Sequence, residues 1–256
     1  MEFLANENGT KYFEVPLDEN GRVRCWFSTR SGGKKSYNPD REDFDGPFLA
    51  VLSKKGVDIN RMVSLKQVHG DGVIIVRDEM LSGQNEGDIG IGDALVSCLG
   101  RTPLVIKVAD CLSIQLWDPL SGAIANIHCG WRSGAKKIIT ITVSKMIKLY
   151  GFKPDMAKIV LMPSISREKY QVGNDVYRAY VDNIEGMENF FVRNRDGSWL
   201  FDLRGMALDQ LKRAGIRDEN IMNIDLCTYK NRDLFYSFRR DGKSTGRMLA
   251  VIEKSN

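Results

Sequence analysis

The 256-residue chain predicts an α+β fold, one domain over residues 1–256 in which mixed β-sheets carry packed helices as a layered α/β sandwich. Three observations predict it. Short apolar runs bounded by turn residues recur along the chain and read as strands. Some of these runs are joined by hairpin turns and others by helical stretches, so the sheets are mixed rather than regularly alternating with helices. No Pro- or Ser-rich linker, low-complexity tract or internal repeat separates them, and 43% hydrophobic with 27% charged residues suffice for a full core.

In chain order, strands are expected at 22–29, 61–68 and 72–77, with a helix at 46–55 before the second of them. The stretch TPLVIKVADCLSIQLWDPLSGAIANIHCGW, Thr102 to Trp131, holds three apolar runs, at 103–109, 112–117 and 122–128, divided by an ADC corner and a DPLSG turn. A helix at 134–150 places Ile138, Ile141 and Met146 on one face and stops at Gly151, a residue suited to the left-handed C-cap. GFKPDMA at 151–157 connects it to a strand at 158–163, and a helix follows at 174–185. Strands at 190–193 and 198–201 flank Asp196-Gly197, a hairpin signal. Asp202 is a candidate N-cap for a helix at 203–214, and strands at 221–227 and 247–252 complete the series.

Several function classes lose support at this point. There is no GxGxxG or Walker A motif for a dinucleotide or P-loop phosphate. The start, MEFLANENGTKYFEV, lacks the pattern of a signal peptide, and no run approaches the ~18 apolar residues of a membrane span. Five cysteines, at 25, 98, 111, 129 and 227, form an odd set without CxxC pairing, which points to reduced thiols and a cytoplasmic protein. The net charge is +4 with acids and bases interspersed, so neither nucleic acid nor membrane is an expected partner. A monomer or small homo-oligomer is expected.

The chain has only two histidines, and both lie at the ends of apolar segments. His69 is in KQVHG and His128 in HCGW, with Cys111 of VADC between them. Two imidazoles and a thiolate suit zinc, and three protein ligands leave the fourth tetrahedral position open. The gaps are far longer than the about two to five residues that separate paired zinc-finger ligands, so each ligand would end a different element. The alternative is a buried cysteine with two hydrogen-bonded histidines, and residue types alone leave it open. Because Cys111 stands where one strand passes into the next and His128 ends the strand returning from the turn, both can face one cleft. Cys129 should then point to the opposite side of the sheet.

Other residues can complete a site. Asp110 can orient a ligand histidine or take a proton from a nucleophile, or serve as a turn carboxylate that accepts backbone bonds. Asp93 carries the same alternatives. Gln67, two residues before His69, would share its face. Trp131 and Phe235 or Tyr236 can stack on a flat ring or belong to the core. Arg30, Arg132, Arg239, Arg240 and Arg247 can gather an anion, against the alternative of solvated surface arginines.

The motifs KQVHG (66–70), GDALVS (92–97), VADC (108–111), HCGWRSG (128–134), YQVGNDV (170–176), DLCT (225–228) and FYSFRRDGKSTGRM (235–248) together resemble, in order, those of the YfiH-like laccase-domain family. That family is also called polyphenol oxidase, peptidoglycan editing factor and purine nucleoside phosphorylase. The resemblance runs from about Arg22 to Ile252 and implies that His69, Cys111 and His128 ligate Zn2+. It further implies phosphorolysis of adenosine, inosine, guanosine and methylthioadenosine, with adenosine deamination as a companion activity. In that reaction Arg30 and Asp110 would be catalytic, Gln67 and Arg247 would bind substrate, and purine nucleosides and phosphate would be the partners. One alternative is amide hydrolysis on a nucleotide-linked muramoyl amino acid. Another is metal-free chemistry with Cys111 as nucleophile and His128 as base. Copper redox chemistry at a multicopper site needs many more histidines than two. The chain departs from the family at STRSGGKKSYNPD (28–40), where Lys34 replaces a valine and the loop beyond differs, and at Phe238, where the family commonly has tyrosine.

Overall fold

The computed structural model describes residues 3–31, 46–81 and 88–255; the altered 34–40 loop lies outside them. The strands are β1 (Leu4–Glu7), β2 (Thr10–Pro16), β3 (Val23–Ser28), β4 (Ser64–Lys66), β5 (Val73–Ile75), β6 (Asp88–Ile91), β7 (Ala94–Ser97) and β8 (Leu104–Val108). They continue with β9 (Leu112–Trp117), β10 (Ile124–Cys129), β11 (Lys158–Leu161), β12 (Gln171–Val172), β13 (Phe191–Arg193), β14 (Trp199–Phe201), β15 (Ile221–Asn223) and β16 (Met248–Lys254). The helices are α1 (Pro47–Lys54), α2 (Trp131–Ala135), α3 (Ile138–Tyr150), α4 (Asn174–Val181), α5 (Leu203–Arg213) and α6 (Phe238–Asp241).

Two sheets stack face to face. One has five strands in the order β1-β2-β3-β16-β8 and the other six in the order β15-β11-β9-β10-β7-β5. The five-stranded sheet is antiparallel throughout. The six-stranded sheet is mixed, because β15 and β5 join its edges in parallel. Alternation of side chains across each strand divides the interior into layers. Leu104, Ile106, Ala250 and Ile252 meet Leu95, Ile124 and Val160 between the sheets. Ala125, Ile127 and Ile159 face α3, α4 and α5 on the far side. Helix α1 covers the outer face of the five-stranded sheet through Phe48 and Leu52, against Trp26 and Val251. This is the layered α+β arrangement the sequence predicts. Asn126 ties the layers together, donating from one amide to the carbonyls of Leu104 and Ala250 in the opposite sheet.

The differences from expectation have local causes. The helix expected at 134–150 is two helices, because Lys137 takes a left-handed backbone at φ +61°. The first of them starts at Trp131, directly after the strand. Ser133 turns the chain there, its hydroxyl donating to the His128 carbonyl and accepting from Gly130 N–H. The strand expected at 221–227 ends at Asn223, and the chain then makes only an isolated bridge from Cys227 to Ser164. The helix expected at 174–185 stops at Val181. Strands β1, β2, β6, β7 and β12 and helix α6 were not expected.

Candidate metal centre and its cavity

The three predicted ligands arrive from different layers. Cys111 lies in the crossover from β8, in the five-stranded sheet, to β9, in the six-stranded one. The preceding Asp110 makes the sharp turn at φ +91°, an uncommon backbone for a residue with a side chain. His128 is the penultimate residue of β10, paired with Ser113, and it is 2% exposed. Its neighbour Cys129 packs on the helix side, as alternation requires. His69 is not in a strand: β4 ends at Lys66, and His69 sits in the following loop at φ +56°.

The ligand atoms of His69, Cys111 and His128 lie within 4.8 Å of one another. Cys111 Sγ is 3.9 Å from His69 Nε2, and the two imidazoles meet edge to face at 4.8 Å between centroids. Tetrahedral zinc, with bonds of about 2.0–2.3 Å, sets its ligand atoms roughly 3.3–3.6 Å apart, so a small contraction closes the cluster on an ion. Gly130 gives it room: a Cβ there would stand 3.0 Å from both Cys111 Sγ and His69 Cδ2. Burial alone would raise the Cys111 thiol, but the charge and hydrogen bond of His128, with smaller help from His69, bring it well below its usual value. His128 is the converse, since burial opposes protonation while Cys111 and Asp93 raise its pKa. Each group thus favours the charged form of the other, and a metal would compete with the proton on His128. Burial holds the Cys129 thiol far above its ordinary value, so it remains a neutral core residue.

Of the two aspartates, Asp93 is the one that touches a histidine. Fully buried, it meets His128 Nδ1 at 2.7 Å through Oδ1, which also accepts from His69 N–H at 2.9 Å. Its Oδ2 accepts from Gly70 N–H at 2.6 Å and Val68 N–H at 3.3 Å. Asp110 instead anchors a distant segment: its carboxylate accepts from the hydroxyls of Thr228 (2.6 Å) and Ser237 (3.0 Å) and from Arg239 N–H (2.7 Å). Both ends of the Gln67 amide pair with the backbone of Lys107, at 2.9 and 2.8 Å.

The cluster forms the floor of a cavity of about 360 Å³. Gln67, Asp110, Trp131, Arg132, Arg239 and Arg247, all candidates in the sequence, line it together with Lys107, Tyr170 and Phe238. Lys107 is neutralised from behind by Asp88 at 3.1 Å, Arg239 lies over the Tyr170 ring and Arg132 over Trp131. Arg30 is outside the lining; its guanidinium donates to the Arg232 carbonyl and covers the Tyr236 ring. Phe235 is core, packed against Phe13 and Phe27. Arg240 organises the segment from Thr228 to Asp241, donating to the carbonyls of Thr228, Tyr229 and Phe235 and pairing with Asp241. Lys107 and Tyr170 were not expected in the cavity, and Phe238 stood out in the sequence only as a departure from the family's tyrosine. Only the motif positions of Tyr170 and Phe238 offered a signal, since a lone aromatic or lysine in a strand or turn carries none.

The chain belongs to the family described as multi-copper polyphenol oxidoreductase laccase, whose model matches residues 24–255. It is 33% identical over 237 residues to a purine nucleoside phosphorylase of Deinococcus radiodurans, covering 88% of this chain and 87% of the relative. It is 29% identical over 208 residues to adenosine deaminase RL5 of an unknown prokaryotic organism, covering 80% and 79% of the two chains. The crystal structure of Bacillus licheniformis hypothetical protein YfiH shares the fold, with a TM-score of 0.85 and 23% identity over all of both chains. Among the described residues no helix is long and apolar enough to cross a membrane.

Proposed function

We propose that the protein is a zinc-dependent purine nucleoside phosphorylase acting on adenosine, inosine, guanosine and methylthioadenosine, with adenosine deamination as a companion activity. The observation that carries this reading is the open His69–Cys111–His128 cluster beneath a cavity with both aromatic and cationic walls. The names of two relatives, a phosphorylase and a deaminase, support the reaction classes. A bound zinc would supply Lewis acidity, favouring deprotonation of an oxygen near neutral pH.

The protein's own groups supply the rest. Trp131, Tyr170 and Phe238 offer faces to a purine. Arg247, Arg239 and Arg132 offer forked donors to phosphate, and we assign the phosphate to them rather than to Arg30. In phosphorolysis a phosphate oxygen bonds to the ribose C1′ while the C1′–N9 bond breaks and its electron pair leaves with the purine. Holding both partners in one cavity removes most of the entropic barrier to that exchange. Asp110, whose carboxylate is already held by three donors, keeps the arginine-bearing segment against Cys111.

The test is metal analysis of protein purified without added metal, then a nucleoside screen with and without phosphate. About one zinc per chain and ribose 1-phosphate formed only with phosphate are expected. Copper in place of zinc, or no nucleoside turnover, would overturn the reading. The lowered Cys111 thiol beside His128 favours one second reading, a metal-free thiol hydrolase. It requires Cys111 to be alkylated at once in protein that carries its full metal complement.

A further inference from the structure

Asp93 is not itself a lining residue of the cavity but lies directly behind two that are, His69 and His128, and its oxygens accept from both histidine-bearing segments at once. Its backbone is used in the same way: its carbonyl accepts from His128 N–H at 2.7 Å, and its N–H donates to the Gly72 carbonyl at 2.8 Å. The approach is close enough to need glycine beside it, because a Cβ on Gly92 would stand 2.8 Å from the Gly72 oxygen. We infer that Asp93 is the positioning residue of the metal centre, one carboxylate that sets the orientation of both histidine ligands. This rests on the metal reading above.

The two halves of the role follow from geometry. Contact at 2.7 Å to Nδ1 requires that nitrogen to carry the proton of a neutral His128, which turns the lone pair of Nε2 toward Cys111 and His69. The three backbone bonds hold the 68–70 loop, in which His69 takes a left-handed conformation that a histidine does not favour unaided. A carboxylate can serve both because each oxygen accepts two bonds. Asparagine cannot, since its NH2 group would have to face either the His128 N–H or the loop N–H groups.

Two measurements test this. Zinc affinity by chelator competition is compared for wild type, Asp93→Asn and Asp93→Ala, with thermal unfolding of the metal-depleted forms alongside. The expected losses are about tenfold for asparagine and approaching a hundredfold for alanine. The second uses wild type alone, so it does not depend on the variants folding. Nitrogen-15 spectra of cadmium-loaded protein show only two imidazoles, and His128 should be protonated at Nδ1 with metal coupling at Nε2. Unchanged affinity in both variants beside tight wild-type binding, or coordination of His128 through Nδ1, would overturn the inference and leave the metal reading standing. Wild type that takes up no metal overturns both.

Discussion

His128 and His69 contribute to the same cluster from opposite kinds of backbone. His128 is carried by β10, paired on one side with β9 and bonded through its own N–H to Asp93 on the other. His69 is carried by a half-exposed loop whose conformation depends on one side chain. The same contrast runs through the cavity. Its floor takes His128 from a strand, Cys111 from the crossover between sheets and His69 from a loop, whereas Phe238 and Arg239 come from the segment that Arg240 and Asp110 fold up. Two of the three ligands thus sit on the rigid part, while the third and much of the substrate-facing wall fall to segments that loops can vary.

The largest effect should come from removing a strand-side ligand. Cys111→Ala and His128→Ala are expected to abolish stoichiometric metal and to lower activity by more than about a hundredfold, because even partners of metal ligands are worth 10–100-fold. His69→Ala should retain weaker but measurable metal, since water can take a place on the loop side. Elemental analysis and chelator titration read both. Equal, complete loss from all three variants would end the distinction between the two histidines.

Next come the cavity cations. A charge-assisted hydrogen bond is worth about 1.5–3 kcal/mol, so Arg239→Ala and Arg247→Ala should raise the KM for phosphate by about tenfold or more. Arg30→Ala should change it by less than about threefold. Phosphate-independent deamination should change little in any of them. A tenfold effect of Arg30→Ala would return that residue to the anion site and extend the loop-built part of the cavity toward it.

A third expectation concerns the two adjacent-layer thiols. Iodoacetamide should label Cys111 only after a chelator has removed the metal, while Cys129, fully buried with its thiol pushed up, stays unlabelled in both states. Peptide mapping separates them. Prompt labelling of Cys111 in metal-replete protein would support the free-thiol mechanism.

What the sequence made legible follows the same division. The strand-borne part of the site could be read because alternation fixes side-chain direction: His128 faces inward and Cys129 the helices. The backbone at His69 was misjudged, because nothing in KQVHG announces a left-handed histidine held by a carboxylate 24 residues later. Asp93 and Asp110 offered the same alternatives in sequence and separate only in space, where one meets a histidine and the other Thr228 and Ser237. Arg30 sits beside glycines as a phosphate ligand might, yet its partners are Arg232 and Tyr236, more than 200 positions away. Strands β1 and β2 escaped notice although their pairing is local, β1 with β2 and β2 with β3; the left-handed Asn8-Gly9 turn between them is the sequence signal for their hairpin.

The smallest expected effect is also the one that bounds the metal centre. Thr228→Val removes one of three donors to Asp110 while leaving Ser237 and the Arg239 N–H in place. Loss of one hydrogen bond to a carboxylate should cost about 1.5–3 kcal/mol and lower Tm by several degrees in a chain of this size. Because Asp110 connects Cys111 to the segment that bears the arginines, turnover should fall by less than about threefold through looser substrate positioning. Zinc affinity should stay within about twofold of wild type, since β8, β9 and β10 hold Cys111 and His128 independently of Thr228. Calorimetry and chelator competition on one preparation give both numbers. If Thr228→Val released metal as readily as Asp93→Asn, the cavity wall and the metal centre would be a single unit, and the contrast between the two histidines would reflect exposure alone.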